Sequence, residues 1–269
     1  MQSIKHLLQV FAKSLILVPE SCYAGHLLTE RGIHYDSFSY CCHHGHWISD
    51  FIYSNPFRGM DHRKFSPRTK EISSLRIIQA VFKFILWEAG TKVTIIGEEN
   101  VPKDTPVLYI GNHRSYFDIV LSYSRCPIRT GYIAKKEMER YPLLSNWMRY
   151  LHCLFLDRKD IKQGLKTILT AIEKIKSGIS ICIFPEGTRN KNKDELELLP
   201  FHEGSFKIAS KSGCAIIPMA MNNTAEIFEA HMPKIKSTHV VLEYGKPIYV
   251  KELSKEDQKA SRNLYSKYH

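Results

Sequence analysis

From about residue 91 onward the chain alternates short apolar runs with amphipathic stretches, and that alternation restricts the fold more than any other feature. Residues 107–111, 152–156, 179–184, 215–221 and 240–244 read as strands, being apolar and of strand length. Residues 115–125, 161–177 and 204–212 read as helices between them, and a polar helix follows the last strand. Strands alternating with helices predict an α/β domain over 91–269, with a largely parallel central sheet flanked by helices.

Upstream, residues 1–50 form a segment of unclear role, and 51–90 read as amphipathic helices preceding the domain, membrane-associating on the preferred reading. Leu75, Ile78, Val81, Phe82, Ile85 and Leu86 fall at helical spacing, with Lys70, Arg76 and Lys83 nearby and Trp87 at the end. Two readings stay open: a helix packed on the core, or an amphipathic helix lying in a membrane surface with its basic residues among headgroups. The apolar stretch 6–18 is interrupted by Lys13 and is shorter than the ~20 residues a bilayer span needs. No small-residue cleavage site follows it, so it is not read as a secretory signal.

Lys and Arg number 38 against 27 acidic residues, a formal charge of +11. Such an excess suits nucleic acid, an anionic leaflet or a phosphorylated small molecule. Nucleic acid would call for basic residues interleaved with aromatics on one surface. The stretch 132–140 is basic and partly aromatic, and fits better as a solvated rim or a contact for anionic lipid. Seven scattered cysteines, with Cys153, Cys182 and Cys214 inside apolar runs, indicate free thiols in a reducing compartment. Cys41-Cys42-His43-His44 and His46 lack the paired C-x2-C spacing of a zinc site, so no metal is expected.

Three polar clusters each follow directly on an apolar strand, the position where open α/β sheets bind ligands. The first runs from Asn112-His113 to Asp118. A histidine in the turn and a carboxylate in the first helical turn can form a base and its orienting partner. Ser115-x-x-Asp118 also resembles a capping box, which would make Asp118 structural. The second is Phe184-Pro185-Glu186-Gly187-Thr188-Arg189. Gly187 allows close backbone approach, Thr188 offers a hydroxyl, and Arg189 a fork matched to phosphate oxygens. Glu186, out of place beside a bare phosphate, would orient Arg189 or accept from a substrate hydroxyl. The third is Leu156-Asp157-Arg158, whose arginine could be a second arm on the phosphate.

Taken together, these clusters resemble the motifs of the glycerolipid acyltransferase superfamily, and in particular the 1-acylglycerol-3-phosphate acyltransferases. His113 to Asp118 is similar to the family's H-x4-D block, Leu154-Phe155-Leu156-Asp157-Arg158 to its second, and Phe184 to Arg189 to its third. Ile216-Ile217-Pro218-Met219-Ala220-Met221 is similar to its fourth, and the likeness covers about residues 92–250.

The resemblance implies that His113 is the general base, oriented by Asp118. Arg158, Glu186, Gly187, Thr188 and Arg189 would hold the phosphate and glycerol of a lysophospholipid acceptor. The donor would be acyl-CoA or acyl carrier protein, the product phosphatidic acid, and the location the cytoplasmic face of a membrane. No bound cofactor, metal or nucleic acid is expected. The absence of a G-x-S-x-G elbow agrees with direct attack without an acyl-enzyme. Acylation of glycerol 3-phosphate or another lysolipid is the nearest alternative. A non-catalytic protein that binds lipid at a membrane surface is the alternative of a different class.

Overall fold

The computed structural model describes residues 67–192, 198–202 and 204–252, which belong to one compact unit. Expectations for residues 1–66, including the Cys41 to His46 cluster, and for the C-terminal helix beyond 252 lie outside the described residues.

Seven strands form one sheet in the order β1-β7-β6-β2-β5-β3-β4. They are β1 (Lys92–Ile96), β2 (Leu108–Gly111), β3 (Thr130–Lys135), β4 (Leu154–Leu156), β5 (Ser180–Ile183), β6 (Ile216–Asn222) and β7 (His239–Tyr244). All neighbours pair in parallel except β6 with β7, so the largely parallel expectation holds. The helices are α1 (Pro67–Glu88), α2 (Phe117–Tyr123), α3 (Pro142–Tyr150), α4 (Ile161–Lys176) and α5 (Gly204–Ser212).

Central strands of a parallel sheet are covered on both faces, which is why β2 and β5 read as unbroken apolar runs. On one face Leu108, Ile110, Ile181 and Ile183 pack with Ala171, Ile172 and Ile175 of α4 and Ile208 and Ala209 of α5. The alternate side chains, Tyr109 and Cys182, are equally buried. Cys126, Cys153, Cys182 and Cys214 are free thiols, as their apolar surroundings predict.

The sequence-based reading omits β1, β3 and α3. It also starts the second helix two residues early, because 112–116 are held in a turn by side chains described below. Helix α1 packs on α2: Leu75 and Leu86 are buried, the Phe82 ring meets Tyr123 edge-on at 5.9 Å, and Gln79 donates to the Cys126 carbonyl at 2.6 Å. Ile72 and Trp87 remain on its outer side. No helix among the described residues is long and apolar enough to cross a membrane.

Candidate active site

Parallel pairing delivers the carboxyl ends of β2, β3, β4 and β5 to one edge of the sheet, and the three polar clusters gather there. Asn112 fixes the start of the first. Its side-chain amide donates to the Met221 carbonyl and accepts the Met221 N–H, both at 2.8 Å, locking the end of β2 to β6.

Asp118 organises the turn that follows. Its Oδ2 accepts the N–H groups of Arg114 and Ser115, each at 2.7 Å, and lies 2.8 Å from His113 Nδ1. Oδ1 accepts the Thr224 hydroxyl at 2.5 Å, and the carboxylate is 1% exposed. Two main-chain donors and a hydroxyl identify Asp118 as an acceptor only, so Nδ1 carries the ring hydrogen and Nε2 the lone pair. The capping reading and the orienting geometry therefore coexist in one side chain. The His113 ring stacks on Phe184 with centroids 4.4 Å apart and planes 13° from parallel. Among the described residues Nε2 has no hydrogen-bond partner, and the side chain retains 16% exposure.

Glu186 does not orient Arg189. Its Oε1 accepts the His113 N–H at 2.8 Å and Oε2 the Leu199 N–H at 3.1 Å, with the residue buried. Burial raises the Glu186 pKa, partly offset by those two main-chain donors. The carboxylate ties the histidine turn to the loop after β5, an arrangement completed by the Asn190 N–H, which donates to the His113 carbonyl at 2.6 Å.

The partner of Arg189 is Glu229, a residue outside the sequence-based candidates. Arg189 Nη1 lies 2.9 Å from Glu229 Oε1, and its guanidinium sits 3.9 Å from the Tyr116 ring centroid. Glu229 also accepts the Tyr116 N–H at 2.8 Å and the Ser115 hydroxyl at 2.7 Å. No local signal marks Glu229, which reaches the site from a short 3-10 turn, Glu229–His231. Thr224 escapes the sequence-based reading in the same way, whereas Asn112 was read within the first cluster but not in its bonding to Met221.

Gly187 has φ +71°, and a Cβ there would lie 3.1 Å from Arg158 Cζ and 3.2 Å from His202 Nε2. The third cluster thus meets the second over a glycine that leaves room for it. Thr188 is exposed next to them. Lys135, at the end of β3, joins this group: partial desolvation, then repulsion from Arg158 and more weakly from Arg189, lowers its pKa. Among the described residues neither Lys135 nor Arg158 forms an ion pair, while Arg189 has Glu229. Three cations drawn to one rim, with Glu229 on Arg189 and Glu137 acting more weakly on Lys135 and Arg158, make a region suited to an anion. No group of His, Cys, Asp and Glu suited to a metal ion occurs among the described residues.

The acyltransferase family matches residues 92–222, a range containing all seven candidate residues. The 1-acyl-sn-glycerol-3-phosphate acyltransferase of Borreliella burgdorferi is 34% identical over 157 residues, 58% of this chain and 61% of that protein. Its namesake in Saccharomyces cerevisiae is 30% identical over 182 residues, 67% of this chain and 58% of that protein. The chain thus spans about three fifths of the length of these curated relatives. The crystal structure of the 1-acyl-sn-glycerophosphate (LPA) acyltransferase PlsC from Thermotoga maritima shares the fold. That match has a TM-score of 0.65 at 24% identity, covering 99% of this chain and 95% of that one. Over residues 92–222 the chain is thus similar to the acyltransferase family, and the relatives it matches are named 1-acyl-sn-glycerol-3-phosphate acyltransferases.

Proposed function

We propose that the protein transfers a fatty acyl group from acyl-CoA or acyl carrier protein to the sn-2 hydroxyl of lysophosphatidic acid, giving phosphatidic acid. The observation that supports this reading most is the His113–Asp118 pair, with Nδ1 committed to the carboxylate and Nε2 left to receive a proton. In this scheme Nε2 takes the acceptor's hydroxyl proton as its oxygen attacks the thioester carbonyl. Asp118 stabilises the resulting imidazolium, and the stacked Phe184 ring keeps the imidazole in plane. Collapse of the tetrahedral intermediate breaks the C–S bond, and the departing sulfur takes the proton back from Nε2. Arg189, Arg158 and Lys135 would receive the acceptor's phosphate, with Gly187 and Thr188 against its glycerol and Glu186 holding the histidine turn. The scheme asks for no metal or bound cofactor. Aligning hydroxyl, imidazole and thioester can lower the barrier by as much as ~7–11 kcal/mol.

The acceptor and product are amphiphiles, so the reading places the enzyme at a membrane surface, on its cytoplasmic face, with residues 51–90 as an associating segment before the catalytic domain 91–269. The test is thiol release from palmitoyl-CoA with lysophosphatidic acid in detergent micelles, for wild type and His113→Ala. Release that depends on acceptor and disappears in the variant supports the reading. Release by wild type only with glycerol 3-phosphate or another lysolipid would reassign the acceptor. Failure with acyl-CoA and acyl carrier protein donors on all of these acceptors would leave a lipid-binding protein without turnover.

A further inference from the structure

Helix α4 keeps three large apolar side chains in water. Ile161, Leu165 and Leu169 are 87%, 59% and 53% exposed. Spaced at i, i+4 and i+8, they form one stripe along the helix. The core takes a different face, where Thr167, Ala171, Ile172 and Ile175 are buried. Folding therefore gives no account of the stripe, and contiguous exposed apolar residues of this kind mark interaction surfaces.

The chemistry around the stripe is cationic. Lys162 and Lys166 each follow a stripe residue, ~100° further round the helix, and both are exposed. Lys159 precedes the helix and Lys176 ends it, also exposed. Of the acidic residues in this stretch, Asp160 is engaged as the N-cap, accepting the N–H groups of Lys162 and Gln163, which leaves Glu173. A two-fold contact that buried this stripe would bring the lysine edges of the two copies together, which argues against a second copy as the occupant. An apolar stripe edged by lysines suits the boundary between acyl chains and anionic headgroups. The stripe also begins beside the site, since Asp157 and Arg158 lead directly into the helix.

We propose that Ile161, Leu165 and Leu169 dock α4 into an anionic lipid surface, with Lys162 and Lys166 among its phosphates. The Arg158 side of the site then faces the layer that holds an amphiphilic acceptor. This inference rests on the lipid acceptor proposed above, and its test uses a readout separate from turnover.

The experiment is co-sedimentation of the whole chain with vesicles of phosphatidylcholine and phosphatidylglycerol. The variants are I161S/L165S/L169S and K162E/K166E, with Leu165→Trp as a local reporter. The triple variant is expected to lose roughly tenfold or more in vesicle partition. The charge reversal should lose roughly fivefold or more per lysine, an effect that salt diminishes. The added tryptophan should show a blue shift, and quenching by brominated lipid, only when vesicles are present. Partition unchanged in both variants, with no lipid quenching at residue 165, overturns the proposal. An emission already blue-shifted without vesicles, and untouched by brominated lipid, also overturns it, because protein then covers the stripe. Turnover of a short-chain, water-soluble lysophosphatidic acid is measured in parallel and should be unaffected by I161S/L165S/L169S. If wild type fails that assay while the variants still lose partition, the acyltransferase reading falls and the docking face stands.

Discussion

Glu229 holds Arg189 by a 2.9 Å ion pair while using the same carboxylate to accept the Tyr116 N–H and the Ser115 hydroxyl. It therefore joins Arg189 to the turn that carries His113, from a position more than a hundred residues downstream of that turn. Both partners are largely buried, with side-chain exposures of 22% and 14%, so the pair is shielded more than a surface bridge. Glu229→Gln keeps the shape and removes the charge. We expect the KM for acceptor to rise roughly tenfold or more with kcat changing much less. Steady-state kinetics against acceptor at saturating donor would decide it; an unchanged KM would mean that Arg189 holds its place without Glu229.

The two members of the histidine pair should fail in different ways. His113 is a ring stacked on Phe184 and partly exposed, so His113→Ala should lower kcat by about 10²–10⁴ with little change in melting temperature. Asp118 satisfies two main-chain N–H groups and a buried threonine hydroxyl besides the histidine. Asp118→Ala strands those donors and should cost about 1–3 kcal/mol or more of stability in addition to activity. Thermal unfolding alongside turnover separates the two effects. A variant Asp118→Ala as stable as wild type would remove its structural role.

Which parts of this arrangement were legible in the sequence follows from how local each signal is. Strands β2 and β5 announce themselves because burial on both faces demands unbroken apolar runs. Strand β3 does not, because Gly131 interrupts it: a Cβ there would meet the His152 carbonyl oxygen at 2.3 Å, so close packing against the chain that leads into β4 excludes a larger residue. Strand β1 lies at the sheet edge with most of its residues exposed, and its pattern lacks a buried face. In the site, His113 and Asp118 are five residues apart and declare themselves. Glu229 and Thr224 reach it from turns after β6, and only tertiary contact relates them to it. Glu186 was visible as a residue but not in its role, since its partners are main-chain N–H groups that no side-chain pattern records.

The Glu186 carboxylate should make its contribution visible through pH. Burial raises its pKa in the folded protein above the ordinary carboxylate value, so between those two values the folded state binds more protons than the unfolded. Its contribution to stability is then fully present below the unfolded pKa and is lost as pH rises through the folded one. In Glu186→Gln that titration is gone, and the new amide NH2 confronts one of the two N–H groups the carboxylate accepts. Wild type should therefore gain stability relative to the variant as pH falls from neutral toward about 4.5. Parallel denaturant titrations across that range measure the difference. A difference that stays constant or shrinks on acidification would contradict the assigned direction.

Gly187 tests whether Arg158 and the loop after β5 act as one surface. At φ +71° any L side chain pays a backbone penalty of about 1–2 kcal/mol, which sets the expected loss of stability for Gly187→Ala. The new methyl would also stand 3.1 Å from Arg158 Cζ and 3.2 Å from His202 Nε2, and side-chain ends can yield where main chain cannot. Arg158 should therefore be displaced rather than the fold broken, and the KM for acceptor should rise several-fold. Arg158→Ala provides the comparison, because that side chain is exposed and its loss should leave stability within about 0.5 kcal/mol while raising KM similarly. If Gly187→Ala lost stability but kept the wild-type KM while Arg158→Ala raised it, the arginine would reach its ligand independently of the glycine turn. If neither variant changed KM, the anion would rest on Arg189 and Lys135 alone.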